Sequence, residues 1–187
     1  PLRITIYDAS SDDTIVSVTS ASLLLASVDR ASQTVAALEI INLANESDHA
    51  YVPGPDPMQL LRFGLPPGAT GLQVDTRLID ADYAQVDRGF ALFASVPPGE
   101  HQLTFSYRFP YEGDELTLEK SYRYGAGTVR VLAPEEVMAI KVAQLGDPES
   151  ITIGQRQFQL VEAGGVARGE TLSIQLGGLP SASATDR

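Results

Sequence analysis

The sequence predicts an all-β fold, an antiparallel β-sandwich of the immunoglobulin or fibronectin type with little or no helix. Apolar and polar residues alternate in most segments, which is the pattern of strands with one buried face. Turn-forming residues interrupt these segments about every 8 to 12 residues, a spacing typical of sandwiches and barrels. The chain has 187 residues, of which 43% are hydrophobic. A chain of this length and composition can build its core without disulfides or bound metal.

The clearest predicted strand runs from Glu100 to Phe109. One face of this strand carries Leu103, Phe105, Tyr107 and Phe109, and the other carries Gln102, Thr104, Ser106 and Arg108. We expect the apolar face to lie in the core.

The same alternation predicts further strands in other parts of the chain. They are Leu2-Ile4-Ile6, Leu116-Leu118 with Tyr122-Tyr124 beyond, Val129-Val131, Phe158-Leu160 and Leu172-Ile174-Leu176. Three segments are denser in apolar residues, as expected of strands covered on both faces. These segments are Thr14 to Val18, Leu23 to Val28 and Val35 to Leu43.

The segment from Pro134 to Val142 permits two interpretations. Proline followed by Glu135 and Glu136 is typical of a helix start. Met138 and Ile140 also alternate with their neighbours, so a strand entered through a turn explains the segment as well. We favour the strand.

We predict one large sandwich domain over residues 1 to 180. The alternative is a division into two small sandwiches near residues 110 to 113, where turn residues follow the clearest strand. Residues 181 to 187 are small and polar and are predicted to form a tail or a linker.

Charge and composition make several classes of protein improbable. The 13 Lys and Arg residues are outnumbered by 24 Asp and Glu residues, for a formal net charge of -11, so nucleic acid is repelled and is not an expected partner. The chain has no cysteine, which excludes disulfides, thiolate chemistry and Cys-zinc sites. No apolar run approaches the roughly 20 residues of a membrane span.

Residues that could carry chemistry are few and scattered. His49 and His101 lack a second ligand at zinc-site spacing and are predicted to lie at the surface. No Gly-x-Ser-x-Gly motif supports a serine nucleophile. The segment Gly125-Ala126-Gly127 lacks the other residues of a phosphate-binding loop, and we interpret it as a turn. We therefore predict a protein that is not an enzyme and has no catalytic, cofactor-binding or metal-binding residues.

Two other kinds of binding stay open as alternatives. The carboxylates of Asp8 to Asp13, Asp75 to Asp87 and Glu112 to Glu115 are ligands that calcium prefers, although no segment has the EF-hand spacing. Tyr111 and Tyr124 lie next to turns and are candidates for exposed rings of a binding face. Tyr107 and Phe109 are instead predicted to lie in the core.

Several short segments share a pattern of turn followed by strand. They are Tyr51-Val52-Pro53-Gly54-Pro55, Leu61 to Thr70, Asp87 to Ala91, Val96 to Glu100 and Phe105 to Tyr111. With these motifs the chain, from Leu2 to about Leu179, resembles the C-terminal β-sandwich part of bacterial extracytoplasmic carboxypeptidase regulatory-like domain proteins.

The resemblance implies a sandwich exported to the periplasm or cell surface, often with a membrane anchor beyond this segment. It implies no peptidase activity, and neither His49 nor His101 begins the zinc-binding His-x-x-Glu motif of peptidases.

These observations favour a non-catalytic extracytoplasmic β-sandwich that acts as a structural or docking subunit of a cell-envelope or membrane-associated assembly. Its expected partners are proteins. The alternatives are a carbohydrate-binding or calcium-binding module, and a fibre or pilus subunit that pairs through its N-terminal strand Leu2-Ile4-Ile6.

Overall fold

The structure is a computed structural model that describes residues 5 to 181, and it confirms the predicted all-β sandwich. Over this range the chain forms 15 β-strands and two short 3-10 helices and no α-helix. Accordingly, none of the helices in the described range is long and apolar enough to cross a membrane. The strands are β1 (Asp8–Ser10), β2 (Val16–Asp29), β3 (Thr34–Asn45), β4 (His49–Tyr51), β5 (Leu61–Gly64), β6 (Thr70–Thr76), β7 (Asp82–Val86), β8 (Gly89–Phe93), β9 (Gly99–Pro110), β10 (Glu115–Tyr122), β11 (Ala126–Pro134), β12 (Ala139–Val142), β13 (Glu149–Ile153), β14 (Arg156–Val166) and β15 (Glu170–Gly177). The 3-10 helices are Asp13–Ile15 and Pro57–Gln59.

The strands form one large sheet and three small ones. The large sheet has seven strands in the order β13-β14-β11-β2-β3-β9-β6, and its neighbours are antiparallel except for the parallel pair β11 and β2. Two antiparallel sheets have three strands each, in the orders β5-β8-β7 and β10-β15-β12. Strands β1 and β4 form a parallel pair.

Both three-stranded sheets pack against the same face of the large sheet. Phe90 of β8 and Phe63 of β5 contact Phe105 of β9, with ring centroids 5.0 Å and 6.1 Å apart. Lys120 of β10 reaches Glu39 of β3. The buried apolar side chains form one cluster, with members on both sides of residues 110 to 113.

Strand β9 confirms the facing predicted for its residues. Leu103, Phe105, Tyr107 and Phe109 are all buried in the core. Since Thr104 on the alternate face is partly exposed, the strand has the one buried face that its period-two pattern predicts.

Two expectations for the apolar-rich segments are wrong. Thr14 and Ile15 belong to the first 3-10 helix, and Val16 to Val18 and Leu23 to Val28 are parts of one strand, β2, whose pairing with β3 shifts register twice. The outer face of this region is also only partly covered, since Leu24 and Leu38 stay partly exposed. Leu132, Leu24 and Leu38 lie opposite one another on three adjacent strands, so these side chains shield each other within the sheet.

The segment from Pro134 to Val142 forms a turn followed by a strand, as favoured above. Strand β11 ends at Pro134, a turn follows in which Val137 N–H donates to Pro134 O at 3.1 Å, and β12 begins at Ala139. Of the predicted N-terminal strand, Ile6 precedes β1 and is 88% exposed. Leu2 and Ile4 lie outside the described residues, as does the predicted tail beyond Ser181.

Candidate functional site

A cleft separates the two three-stranded sheets where their edge strands β5 and β10 lie side by side. The described strands pair β5 with β8 and β10 with β15, so each has an unpaired edge. The cavity between them has a volume of about 570 Å³. Its floor includes Leu23, Tyr107 and Phe109 of the large sheet.

One wall of the cleft is the edge of β10. Six consecutive residues of this strand, 116 to 121, line the cavity. Side chains of a strand point alternately to its two faces, and here Leu118 is buried while Thr117 and Glu119 are exposed. Because residues of both faces line the cavity, it is the backbone edge of β10 that borders it.

The opposite wall is apolar except for Arg88 and is poor in backbone donors. It consists of residues 64 to 67 with Arg88. Pro66 and Pro67 have no backbone N–H to offer. A polypeptide segment in the cleft would therefore find its backbone partners on β10.

A buried ion pair lies at the base of the cleft. The Lys120 ammonium is 2.6 Å from Glu39 Oε1 and donates to the Gly64 carbonyl at 2.9 Å. Tyr107 Oη donates to the same Glu39 oxygen at 2.7 Å. Burial, followed by the charge of Glu39, raises the pKa of Tyr107. These bonds tie β3 and β9 of the large sheet to both small sheets.

A second cavity, of about 30 Å³, adjoins the ion pair, and its lining includes Arg62, Arg123, Tyr124 and the Glu39 carboxylate. Gly64 and Lys120 line both this cavity and the cleft. Tyr124 Oη accepts the backbone N–H of Arg62 at 2.8 Å, and burial raises the pKa of Tyr124.

Arginines surround Tyr124. The guanidinium carbons of Arg123 and Arg168 lie 5.9 Å and 5.5 Å from the centre of its ring. Asp13 pairs with both arginines, at 3.3 Å and 3.4 Å. We call Arg62, Arg123 and Arg168 the arginine cluster.

The histidines remain apart from both cavities. His49 is about half exposed and lies 2.5 Å from Asp48. His101 is partly buried, and its Nε2 is 2.8 Å from the Pro97 carbonyl. Over residues 5 to 181, no three His, Asp or Glu side chains come together as a possible metal site.

The acidic segment Asp8 to Asp13 is engaged within the protein. Asp12 caps the first 3-10 helix, and its Oδ1 accepts the Thr14 N–H at 2.9 Å. This hydrogen bond lowers the pKa of Asp12. Asp13 pairs with Arg123 and Arg168 of the arginine cluster.

The expectation of exposed rings at Tyr111 and Tyr124 is wrong, because both side chains are buried. Tyr111 Oη donates to the Pro180 carbonyl at 2.6 Å, and the arginines cover Tyr124. Of the predicted turn Gly125-Ala126-Gly127, only Gly125 lies between β10 and β11, with φ +70°, and Ala126 and Gly127 already belong to β11.

Sequence reasoning missed the buried pair Glu39 and Lys120, although its signal is visible. Glu39 stands two residues from Ala37 and from Ile41, at a core-facing position of an apolar run. Lys120 stands two residues from Leu118 and from Tyr122 in the same way. An opposite charge at a core-facing position in each of two strands indicates a pairing partner.

Comparisons with known proteins identify the fold and no family. No family model matches the chain, and no curated protein matches it. Among solved structures, the chain is similar to a two-domain M1 zinc metallopeptidase bound to L-tryptophan, with a TM-score of 0.53, 11% identity and coverage of 87% of this chain and 42% of that one. An M1 zinc metallopeptidase from Deinococcus radiodurans bound to a Tyr-Ser-Ala substrate gives a TM-score of 0.51 at 12% identity, with the same two coverages.

Yeast LTA4 hydrolase is similar over 98% of this chain and 32% of its own, with a TM-score of 0.55 and 12% identity. This chain thus spans less than half the length of each of these three structures. At such low identity the likeness shows a shared fold alone.

Proposed function

We propose that this chain is a non-catalytic β-sandwich that docks a partner protein by accepting an extended segment of it in the cleft between β5 and β10. The free edge of β10 carries the proposal, since six consecutive residues of this strand line the cleft. An unpaired strand edge presents N–H and C=O groups to which a partner strand can add.

The shape and chemistry of the cleft specify the segment. A volume of about 570 Å³ falls within the usual range of ligand sites, roughly 300–1,000 Å³. The floor of Leu23, Tyr107 and Phe109 favours apolar side chains at every second position. The exposed side chains of Thr117 and Glu119 on β10 favour polar or basic residues between them.

The proposal includes an envelope or membrane-associated assembly outside the cytoplasm as the setting. The resemblance to exported regulatory-like proteins supports this location. The fold also occurs in a two-domain peptidase, where the matched part is 42% of the chain, so a sandwich of this kind has a precedent beside further polypeptide.

The test is binding of a hexapeptide of alternating valine and lysine, acetylated at its N-terminus and amidated at its C-terminus. We expect saturable binding, with slower amide hydrogen exchange in β10 on addition of the peptide. Strand β12, the other edge of the same sheet, is the internal control and should not change. A peptide N-methylated at alternate residues cannot form the edge bonds, and we expect about tenfold weaker binding from it.

A pair of matched variants locates the site. Leu116→Asp places a carboxylate beside the apolar cleft and should abolish binding. Ile151→Asp alters a similarly half-buried side chain on β13, an edge of the large sheet, and should leave binding intact. Protection of β12 instead of β10, or equal binding by the N-methylated peptide, would contradict the proposal.

A further inference from the structure

The arginine cluster contains donors that the protein leaves unused. Nε and Nη2 of Arg62 are buried and have no hydrogen-bond partner among the described residues. Arg62 Nη1 points elsewhere and lies 3.2 Å from the sulfur of Met58. A buried donor without a partner is costly, so each such group in a native protein requires an explanation.

The two unused nitrogens define the geometry of what is missing. Nε and Nη2 carry parallel N–H bonds on one edge of the planar guanidinium. This edge matches the two oxygens of a carboxylate, which it binds through two hydrogen bonds at once. A single water would satisfy one donor well and both only poorly.

The surroundings of Arg62 favour a negative charge. The charged residues that line the small cavity are Arg62, Lys120 and Arg123 against one carboxylate, Glu39. The nearby pair of Lys120 and Glu39 is neutral as a unit. Arg123 is paired with Asp13, so the charge of Arg62 is left without a carboxylate partner at this cavity, in a chain whose net charge is -11.

We propose that the small cavity beside Arg62 is a binding site for a carboxylate, held by both donors on the Nε–Nη2 edge. A cavity of about 30 Å³ limits the group that enters to a small planar anion. The carboxylate belongs to a small organic acid or to the C-terminus of a polypeptide. This inference does not depend on the docking of a strand in the neighbouring cleft.

The test is a titration with acetate at constant ionic strength, with chloride as the replaced anion. The readout is the NMR signal of the Arg62 Nε–H group in the intact chain. We expect a saturable shift of this signal, and a melting temperature that rises by about 3–6 °C once acetate exceeds its dissociation constant roughly tenfold.

Two matched variants distinguish acetate binding through the paired donors from binding through positive charge alone. Arg62→Lys keeps the positive charge but lacks the paired donors, and we expect it to weaken acetate binding about tenfold. Arg108→Lys changes an exposed arginine on the outer face of β9 and should bind acetate as the parent protein does.

Two further ligands distinguish the sources of the carboxylate. N-acetylvaline imitates a polypeptide C-terminus, and N-acetylvaline amide is its neutral counterpart. Binding of acetate and N-acetylvaline supports a C-terminal ligand, while binding of acetate alone supports a small organic acid. Equal shifts with the amide, or no saturable shift up to about 100 mM acetate, would overturn the proposal and leave water as the partner of Arg62.

Discussion

Glu39 on β3, an interior strand of the large sheet, and Lys120 on the edge strand β10 form a 2.6 Å ion pair although both side chains are almost completely buried. Burial removes the hydration of both charges, so the attraction between them is largely offset by the cost of desolvation. The loss of one partner, in contrast, leaves an unpaired charge inside the protein. We infer that the pair fixes the position of the sheet β10-β15-β12 on the large sheet, since a shift of this sheet would separate the two charges.

Lys120→Met should therefore lower the free energy of unfolding by about 3–5 kcal/mol. The double variant Lys120→Met with Glu39→Leu should recover a large part of this loss, because no charge is left unpaired. Urea denaturation measures both. The exposed pair Arg130 and Glu162 provides the control, since Arg130→Met should cost less than about 1 kcal/mol. If Lys120→Met and Arg130→Met lowered the free energy of unfolding by similar amounts, this account of the buried pair would be contradicted.

Phe105 contacts rings of both β5 and β8 from its place on β9. Phe105→Ala should lower the free energy of unfolding by about 3–5 kcal/mol, because it leaves a cavity where the sheets meet. Thr104→Ala on the opposite face should change it by less than about 0.5 kcal/mol. Equal costs in chemical denaturation would show that the two faces of β9 are assigned wrongly.

The sequence predicts the strands better than their arrangement. The period-two pattern of residues 100 to 109 specifies both β9 and its buried face, since alternation has a direct physical meaning for a strand. The pattern says nothing of which strands pair. The parallel pair β11 and β2 joins residues about a hundred positions apart, and no local signal specifies such a pairing.

The candidate site was even less visible in the sequence. The cleft exists because β5 and β10 are the facing edges of separate sheets, which is a property of topology. Tyr124 illustrates the same limit, since its position beside a turn predicts exposure and yet Arg168, which is distant in sequence, lies over its ring together with the adjacent Arg123. Glu39 and Lys120 do have a local signal, because each is a charged residue at a position where the alternation along its strand predicts a buried side chain.

Gly89 is required where β8 pairs with Gly64 of β5. A Cβ added at this position would lie 2.2 Å from the carbonyl oxygen of Phe63, so Gly89→Ala must push the paired strands apart. We expect a loss of at least about 2 kcal/mol in unfolding free energy. Gly177→Ala on β15 is the control, because no atom lies within 4 Å of its added Cβ. Its melting temperature should stay near that of the parent, and an equal fall for both variants would argue against the close approach.

Buried tyrosines should make the protein sensitive to high pH. Burial, with smaller contributions from Tyr124 and Asp13, raises the pKa of Tyr51 to about 12, and burial raises that of Tyr107 as well. Below the ordinary tyrosine pKa, about 10, the ring is neutral in both states and stability does not change. Above it the unfolded chain loses protons that the folded protein retains, so stability falls as pH rises from about 10 toward 12.

Urea midpoints measured between about pH 9 and 12 test this sign. Tyr51→Phe should flatten the decline, although it also removes the hydrogen bond to the Gln59 carbonyl and so lowers stability at neutral pH. Tyr7→Phe, at an exposed ring, should leave the slope unchanged. A midpoint that is constant or rises over this range would contradict the burial of these hydroxyl groups.

Calcium should leave the protein almost unaffected. Asp12 is occupied as a helix cap and Asp13 is paired with two arginines, while Asp82 accepts the N–H of Tyr83 at 2.8 Å. A ligand stabilises a protein by RT ln(1 + [L]/Kd), so a weak site adds little at millimolar calcium. We expect the melting temperature to change by less than about 1 °C in calcium relative to chelator.

A rise of several degrees that chelator reverses, and that disappears when Asp80 and Asp82 are both replaced by Asn, would identify the acidic segment from Asp75 to Asp87 as a calcium site. Asn also tolerates the positive φ of Asp80, 54°, so this variant removes charge without straining the turn.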